Sequence, residues 1–182
     1  LAIIATDDAV VTLASSIAQA LNLPQNNPQA AELTRRKDLA RKRLAEYGCN
    51  VPEFQLIALD RAAEFAPNFD YPVVVKPLML SGSRGVIRAN NASEFIAAAK
   101  TIKDILALEK GSAFEQSQAL VERYLDGYEI AFDGFIRDGK LIPLALFDKP
   151  EALQGPCFEE SYYITPSRLA EHEQEAIRIE IE

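Results

Sequence analysis

The chain has 182 residues, of which 48% are hydrophobic and 25% charged, and its formal net charge at pH 7 is −8. This length suits one domain or two small ones with a sizeable core, and the composition is typical of a globular protein. The acidic charge argues against nucleic-acid and membrane-surface partners, which need a basic surface. Cys49 and Cys157 form no C-x-x-C pair, and the sequence has neither a signal peptide nor a bilayer-length apolar run. We therefore expect a cytoplasmic location without a zinc site or disulfides.

The first third of the chain is predicted to be mostly helical. Residues 1–5 read as a short apolar strand, after which Asp7 and Asp8 cap a helix. Asn27 followed by proline predicts a second helix, and Thr34 is expected to cap a third one that ends at Gly48. Six of the 19 lysines and arginines lie in that third helix, between residues 35 and 43.

The rest of the chain alternates strands with helices. "YPVVVKP" is typical of a buried strand, "GVIRA" of a short strand, and Ser93 is expected to cap a helix with an apolar stripe. From "YEIAFDGFI" the pattern alternates, and Arg-Asp-Gly-Lys predicts a turn into "LIPLALF", which indicates an antiparallel hairpin. Thr165-Pro166 is expected to begin a last helix. The element order predicts the α+β class.

A lysine at the end of a buried strand is the first candidate binding residue. Lys76 follows three valines, and partial burial of its charge is costly unless an anion meets it. Alternatively, its ammonium group reaches the surface or pairs with a nearby carboxylate. The loop Ser81-Gly82-Ser83-Arg84-Gly85 offers hydroxyl, guanidinium and backbone donors, although a simple hairpin turn would have the same composition. Together, Lys76 and the loop favour a phosphate site.

Two further segments carry candidate residues. Lys37 lies at the border of the buried face of the basic helix and could point towards a ligand shared with Lys76, or the helix could be solvated. Farther along, a strand reaches Glu122, bends at Asp126-Gly127 and continues past Glu129. Such a bend is typical of a hinge that binds the edge of a base, with Glu129 placed for sugar hydroxyls. A linker with surface carboxylates is the alternative.

These segments, in this order, resemble the nucleotide-binding part of the ATP-grasp superfamily. The resemblance is carried by "TRRKDLARKRLAEYGCNVPEF", "YPVVVKPLMLSGSRGV", "ALVERYLDGYEIAFDGF" and the preceding "ATDDAVVTLASSIAQALNLP". Within the superfamily, "DGYEIAFDGFIRDGKLIPLALFDKP" most resembles the L-amino-acid ligase branch of carboxylate–amine ligases. The resemblance implies a partial ATP-grasp fold, with a small mixed lid followed by the first antiparallel strands of the larger lobe. It implies the end of a preceding domain at 1–33, a linking helix at 34–53, the lid at 54–125 and the large lobe from 126 to 182.

The resemblance also implies roles for single residues. Lys37 and Lys76 would hold the α- and β-phosphates of ATP, and the loop from Ser81 to Gly85 would close over the β- and γ-phosphates. Adenine would meet Glu122, Arg123, Tyr124 and Leu125, mainly through their main chain, and Glu129 would bind the ribose. Such enzymes phosphorylate a carboxylate to an acyl phosphate, which an amine then attacks.

The same resemblance predicts partners and limits. We expect ATP, small carboxylate and amine substrates such as amino acids, a second copy in a homodimer, and neither nucleic acid nor membrane. Neither the magnesium-binding acidic pattern nor the catalytic arginine is found before Glu182. Asp148, Glu159 and Glu160 lack the spacing of metal ligands, so magnesium is expected from residues beyond the chain end.

Both ends of the chain look cut, and the chain alone is expected to bind nucleotide poorly and to be inactive. Three alternatives stay open: a non-catalytic nucleotide-binding regulatory module, an ATP-grasp carboxylase that phosphorylates bicarbonate, and a plain α/β interaction domain that binds no ligand.

Overall fold

The computed structural model describes residues 1–65, 67–151, 154–158 and 160–182. These residues form two compact units. The first unit comprises Leu1–Tyr124 together with Gly155–Cys157, and the second comprises Leu125–Gln154 and Phe158–Glu182. The first unit contains an antiparallel sheet with several helices, and the described part of the second contains an antiparallel hairpin with one helix, which confirms the predicted α+β class.

The first unit begins with three helices, α1 (Val11–Ala20), α2 (Pro28–Arg35) and α3 (Lys37–Glu46). Asp7 and Asn27 accept hydrogen bonds from the first turns of the helical segments that follow them, as predicted. The predicted strand at residues 1–5 is wrong: this segment pairs with no strand of the described chain, and Leu1 and Ile4 are exposed. An isolated strand would leave its backbone groups to water.

The predicted cap at Thr34 is also wrong. Thr34 lies inside α2, and its hydroxyl donates to the carbonyl of Ala31 rather than accepting from α3. The new helix instead begins after Arg36, whose guanidinium donates to both carboxylate oxygens of Asp38 at 2.7 and 2.9 Å. Gly48, with φ of +78°, follows the end of α3 as expected.

A four-stranded antiparallel sheet forms the centre of the first unit. Its strands are β1 (Phe54–Ala58), β2 (Val73–Pro77), β3 (Ile87–Ala89) and β4 (Gln118–Arg123), in the order β1-β4-β2-β3. A 3₁₀ segment, Leu59–Glu64, follows β1, and the short helix α5 (Ala113–Ser117) leads into β4.

The core of this unit lies between one face of the sheet and α4 (Ala92–Leu106). The predicted apolar stripe of α4 is buried, and it consists of Phe95, Ala99, Ile102 and Leu106. Burial of each of the three larger side chains stabilises the fold by roughly 1.5–3 kcal/mol. The cap of α4 is Asn91 and not Ser93, because the Asn91 side chain accepts from the backbone N–H of Glu94. Val73, Val75, Ala119 and Val121 belong to this core, so the alternating residues of β2 and β4 face the opposite side.

The second unit contains the predicted hairpin, formed by β5 (Ile130–Arg137) and β6 (Lys140–Asp148). Asp138 and Gly139 form its turn with φ of +54° and +74°. The last helix, α6 (Glu171–Ile181), begins later than predicted, because Ser167 and Arg168 are held by the carboxylate of Asp148. No helix in the described part of the chain is long and apolar enough to cross a membrane.

Candidate functional site

Lys76 and Glu122 lie on adjacent strands, on the sheet face opposite the core. Lys76 of β2 stands opposite Leu120 of β4, and Val74 stands opposite Glu122, so Lys76 and Glu122 are diagonal neighbours. The ammonium nitrogen of Lys76 lies 2.5 Å from Oε2 of Glu122, and the two side chains are only 14% and 5% exposed. The strand therefore delivers a mostly buried cation to a mostly buried carboxylate, which is one of the alternatives that the sequence left open.

Helix α3 brings two more cations to this pair. Arg41 donates from Nε to Oε1 of Glu122 at 2.6 Å, so Glu122 is held between two positive groups. Lys37, one turn earlier, donates from Nζ to the carbonyls of Met79 at 2.9 Å and Leu80 at 2.6 Å. Its backbone N–H donates to the carbonyl of Leu78, so the start of α3 is fastened to the segment that follows β2.

The cluster of Lys37, Arg41, Lys76 and Glu122 has an excess of positive charge. Three cations face one carboxylate, which leaves two positive charges in excess at neutral pH. Burial, followed by the charge of Lys76 and, more weakly, that of Arg41, lowers the pKa of Lys37 to about 8, while Glu122 opposes the shift. Such a cluster is expected to be stabilised by an anion with several negative charges, and phosphate groups suit lysine and arginine donors.

The predicted phosphate loop begins directly after the carbonyls that Lys37 binds. Residues 81–85 form two successive turns, in which Arg84 N–H donates to Ser81 and Val86 N–H donates to Ser83. Gly85 has φ of +75°, and a Cβ at this position would lie 3.2 Å from Cδ of Pro77. Ser81 and Gly82 are exposed, and Arg84 forms an ion pair with Glu109. The loop is therefore accessible, but its guanidinium is already paired.

The predicted adenine segment ends the first unit. The backbone N–H of Arg123 donates to Glu53, and that of Tyr124 donates to Pro72. The Arg123 side chain pairs with the Glu53 carboxylate at 2.6 Å. Leu125 is 65% exposed and belongs to the second unit. Hydrogen bonds within the first unit thus fix Arg123 and Tyr124, and the adenine contact itself stays a prediction.

Glu129, the predicted ribose residue, lies in the second unit beside a buried lysine. Lys149 donates from Nζ to Glu129 at 2.5 Å and to Glu160 at 2.6 Å, and it lies 5.6 Å from the centre of the Tyr163 ring. Burial alone would lower the pKa of Lys149, but the hydrogen bonds to the two carboxylates outweigh it and raise that pKa. Glu129 is half exposed, so it remains accessible while Lys149 holds one of its oxygens.

The carboxylates that the sequence offers for a metal have other partners. Asp148 binds Ser167 and Arg168, Glu160 binds Lys149, and Glu159 lies outside the described residues. Within the part of the chain that the structure describes, no three histidine, cysteine, aspartate or glutamate residues are grouped to hold a metal ion. The predicted source of magnesium, in residues beyond the chain end, stays a prediction.

Sequence reasoning missed Arg41, Glu109 and Lys149. A usable signal existed only for Arg41, which follows Lys37 by four residues and so shares its helix face. Glu109 and Lys149 lie on segments that the sequence pattern assigns no role, 25 residues after Arg84 and 20 residues after Glu129.

Comparisons with known proteins agree with these features. A family model described as an ATP-grasp domain matches residues 69–181. A phosphoribosylamine–glycine ligase from Methanosphaera stadtmanae is 34% identical over 130 residues, which is 69% of this chain and 29% of that protein. The crystal structure of an L-amino acid ligase from Bacillus licheniformis superposes with a TM-score of 0.82 at 27% identity, over 96% of this chain and 41% of that one.

A more distant structure shows the same fold. The D-alanyl-alanine synthetase A of Vibrio cholerae matches with a TM-score of 0.64 at 15% identity, over 92% of this chain and 51% of that one. The predicted partial ATP-grasp fold is thus confirmed. The chain spans about 29% of the ligase from Methanosphaera stadtmanae and 41% of the L-amino acid ligase structure.

Proposed function

Because the chain belongs to the ATP-grasp domain family, we propose that its first unit holds the phosphates of ATP with Lys37, Lys76 and the loop at 81–85. The observation that carries this proposal is the excess positive charge around Glu122, in a cluster that is mostly buried. A polyphosphate would neutralise this excess positive charge, which water solvates only in part because the cluster is mostly buried.

The geometry suggests what each group does for the phosphates. The backbone of Lys76 is fixed in β2, and Lys37 lies at the entrance of the loop, so the two ammonium groups are placed for a phosphate that would take over from their present partners. The hydroxyls of Ser81 and Ser83 and the backbone N–H groups around Gly82 then add donors from the accessible loop.

The nucleoside part of the proposal concerns Arg123, Tyr124 and Glu129. The main-chain N–H groups of Arg123 and Tyr124 already donate to Glu53 and Pro72, so a base edge would be recognised through other main-chain groups of this segment. Glu129 keeps one carboxylate oxygen beside Lys149 and can accept from a ribose hydroxyl with the other. Glu122, by contrast, uses both side-chain oxygens for Arg41 and Lys76, and its main chain lies in β4 between β1 and β2, so the proposed adenine contact falls mainly to the residues that follow it.

We extend the proposal to the reaction of the whole protein. Two of the relatives named above are ligases whose names include glycine or an L-amino acid. We therefore propose an ATP-dependent ligase that joins the carboxyl group of an amino acid or small peptide to an amine through an acyl phosphate. Bound magnesium would offset the phosphate charge in such a reaction, and no described group of this chain is assigned to it. A cytoplasmic location and a homodimer stay predictions.

Ligand-induced stabilisation tests the phosphate grip. The parent chain, Lys76→Met and the control Lys100→Met would be melted with and without ATP and magnesium. Methionine keeps the apolar stem of Lys76, and Glu122 keeps its bond to Arg41, so the variant is expected to fold. Lys100 is an exposed lysine of α4 that pairs with Asp104, and its replacement should not affect binding.

Saturation to about 100 times the dissociation constant should stabilise the parent and the control by about 2.7 kcal/mol. Lys76→Met should lose most of this gain. Adenosine at the same concentration should give little, because it lacks the phosphates. Equal stabilisation of the parent and Lys76→Met by ATP, or none in the parent, would contradict the proposed grip.

A further inference from the structure

The carboxylate of Glu122 is held by two cations on different elements. Oε1 accepts from Arg41 of α3, and Oε2 accepts from Lys76 of β2. The Glu122 side chain is 5% exposed, whereas that of Arg41 is 30% exposed. A carboxylate at this depth cannot turn to bulk water if one of its partners leaves.

This arrangement poses a problem for Lys76 as a phosphate ligand. A Lys76–Glu122 pair on its own is neutral, and it would attract a phosphate oxygen only weakly. Without Arg41, a Lys76 that turned to a phosphate would leave Glu122 buried and without a counter-charge. The ligand would also add further negative charge beside Glu122. Removing one member of a buried ion pair in this way is strongly unfavourable.

Arg41 removes this difficulty. Its guanidinium stays bound to Glu122 while Lys76 changes partner, and its charge is permanent over the physiological pH range. The spacing of four residues between Lys37 and Arg41 gives α3 two cations on one face. One meets the loop after β2, and the other meets the sheet.

We propose that Arg41 is a positioning residue of the phosphate site, which keeps Glu122 paired so that Lys76 can exchange Glu122 for a phosphate oxygen of the nucleotide. Arg41 acts through Glu122 and does not itself need to touch the ligand. The inference rests on the proposed function, since it assigns Lys76 to a phosphate group.

A double-mutant cycle tests this role, with inorganic tripolyphosphate as the probe. Tripolyphosphate lacks adenine and ribose, so any contact of Glu122 with the base does not enter the measurement. Binding would be measured by calorimetry for the parent, Arg41→Gln, Glu122→Gln and the double variant. Arg41→Lys and Lys76→Met complete the set.

The cycle should show that the effect of Arg41 depends on Glu122. Arg41→Gln should weaken binding at least about tenfold in the parent, because Glu122 then holds Lys76 alone. In the Glu122→Gln background the same change should cost less than about twofold, because there is no buried carboxylate left to pair. Glu122→Gln alone should bind the probe at least as tightly as the parent, and Arg41→Lys should recover part of the loss.

The outcomes separate the inference from the function on which it rests. Equal weakening by Arg41→Gln in both backgrounds would show a merely structural role and overturn the inference, and so would parent-like binding by Arg41→Gln. Absence of tripolyphosphate binding in the parent would also overturn it. Unchanged binding of ATP by Lys76→Met would instead remove the proposed phosphate grip itself.

Discussion

Replacement of Lys37 by methionine is expected to change the stability of the first unit in a way that depends on pH. In the folded chain the pKa of Lys37 is lowered from 10.5 to about 8, by burial and by the charge of Lys76. In the unfolded chain it returns to the ordinary value. Between pH 8 and 10.5 the unfolded state therefore binds more protons than the folded one, and the stability of the parent rises with pH.

The size of the effect follows from the shift. At about 1.4 kcal/mol per pH unit, this lowered pKa costs the folded parent up to about 3 kcal/mol below pH 8, and linkage removes most of that cost by pH 10. The Lys37 ammonium is only partly buried, so we expect roughly 1–2 kcal/mol in practice. Loss of the hydrogen bonds to the carbonyls of Met79 and Leu80 is nearly independent of pH, so the change with pH isolates the charge.

Urea unfolding followed by far-ultraviolet circular dichroism at pH 7, 8, 9 and 10 measures this effect. Helices α1 to α5 all belong to the first unit, so the helical signal reports mainly on that unit. The free energy of unfolding of the parent, minus that of Lys37→Met, should rise by about 1–2 kcal/mol over this range. For Lys100→Met the difference should change far less, because the hydrogen bond to Asp104 raises the pKa of Lys100. If the difference in unfolding free energy between the parent and Lys37→Met did not change with pH, the charged form of Lys37 would not destabilise the folded chain, and the reasoning would be refuted.

Three further results are expected. Glu109→Gln should tighten ATP binding by about two- to fivefold in calorimetry, because the carboxylate competes with phosphate for Arg84 through an exposed ion pair; weaker binding would contradict this. Hydrogen bonds, the strongest from the Ser167 hydroxyl, lower the pKa of Asp148. The second unit should therefore lose stability as pH falls below about 3.8. Asp148→Asn should make this loss of stability depend less on pH, as measured by the circular dichroism of the hairpin. Gly85→Ala should lower the melting temperature more than Gly82→Ala, since both have positive φ but only Gly85 faces a close neighbour.

Apart from the strand expected at residues 1–5, the sequence predicted β2, the hairpin and the long helix well, because their signals are local. Three valines followed by Lys76 describe a buried strand that reaches a site, and the alternation around Asp138-Gly139 describes a hairpin. The helix starts were less predictable. Thr34 and Ser93 are good capping residues, but each lies near a competing side chain or carbonyl that the chain used instead.

The candidate site was likewise predictable where its signal lies within one segment, and not where it depends on residues far apart in the sequence. Lys76 stood out because a charge at the end of a buried strand is locally anomalous, whereas its partner Glu122 lies 46 residues away and the second partner, Arg41, lies 81 residues from Glu122. Distances of that kind arise only when β4 inserts between β1 and β2, an order that no local pattern encodes. The same insertion places the Glu122 carboxylate among cations that are suited to bind an anion. This carboxylate would weaken anion binding unless another cation compensated its charge. Arg41 donates to that carboxylate, so its place in the fold is better explained by the charge balance of the site than by the stability of its helix.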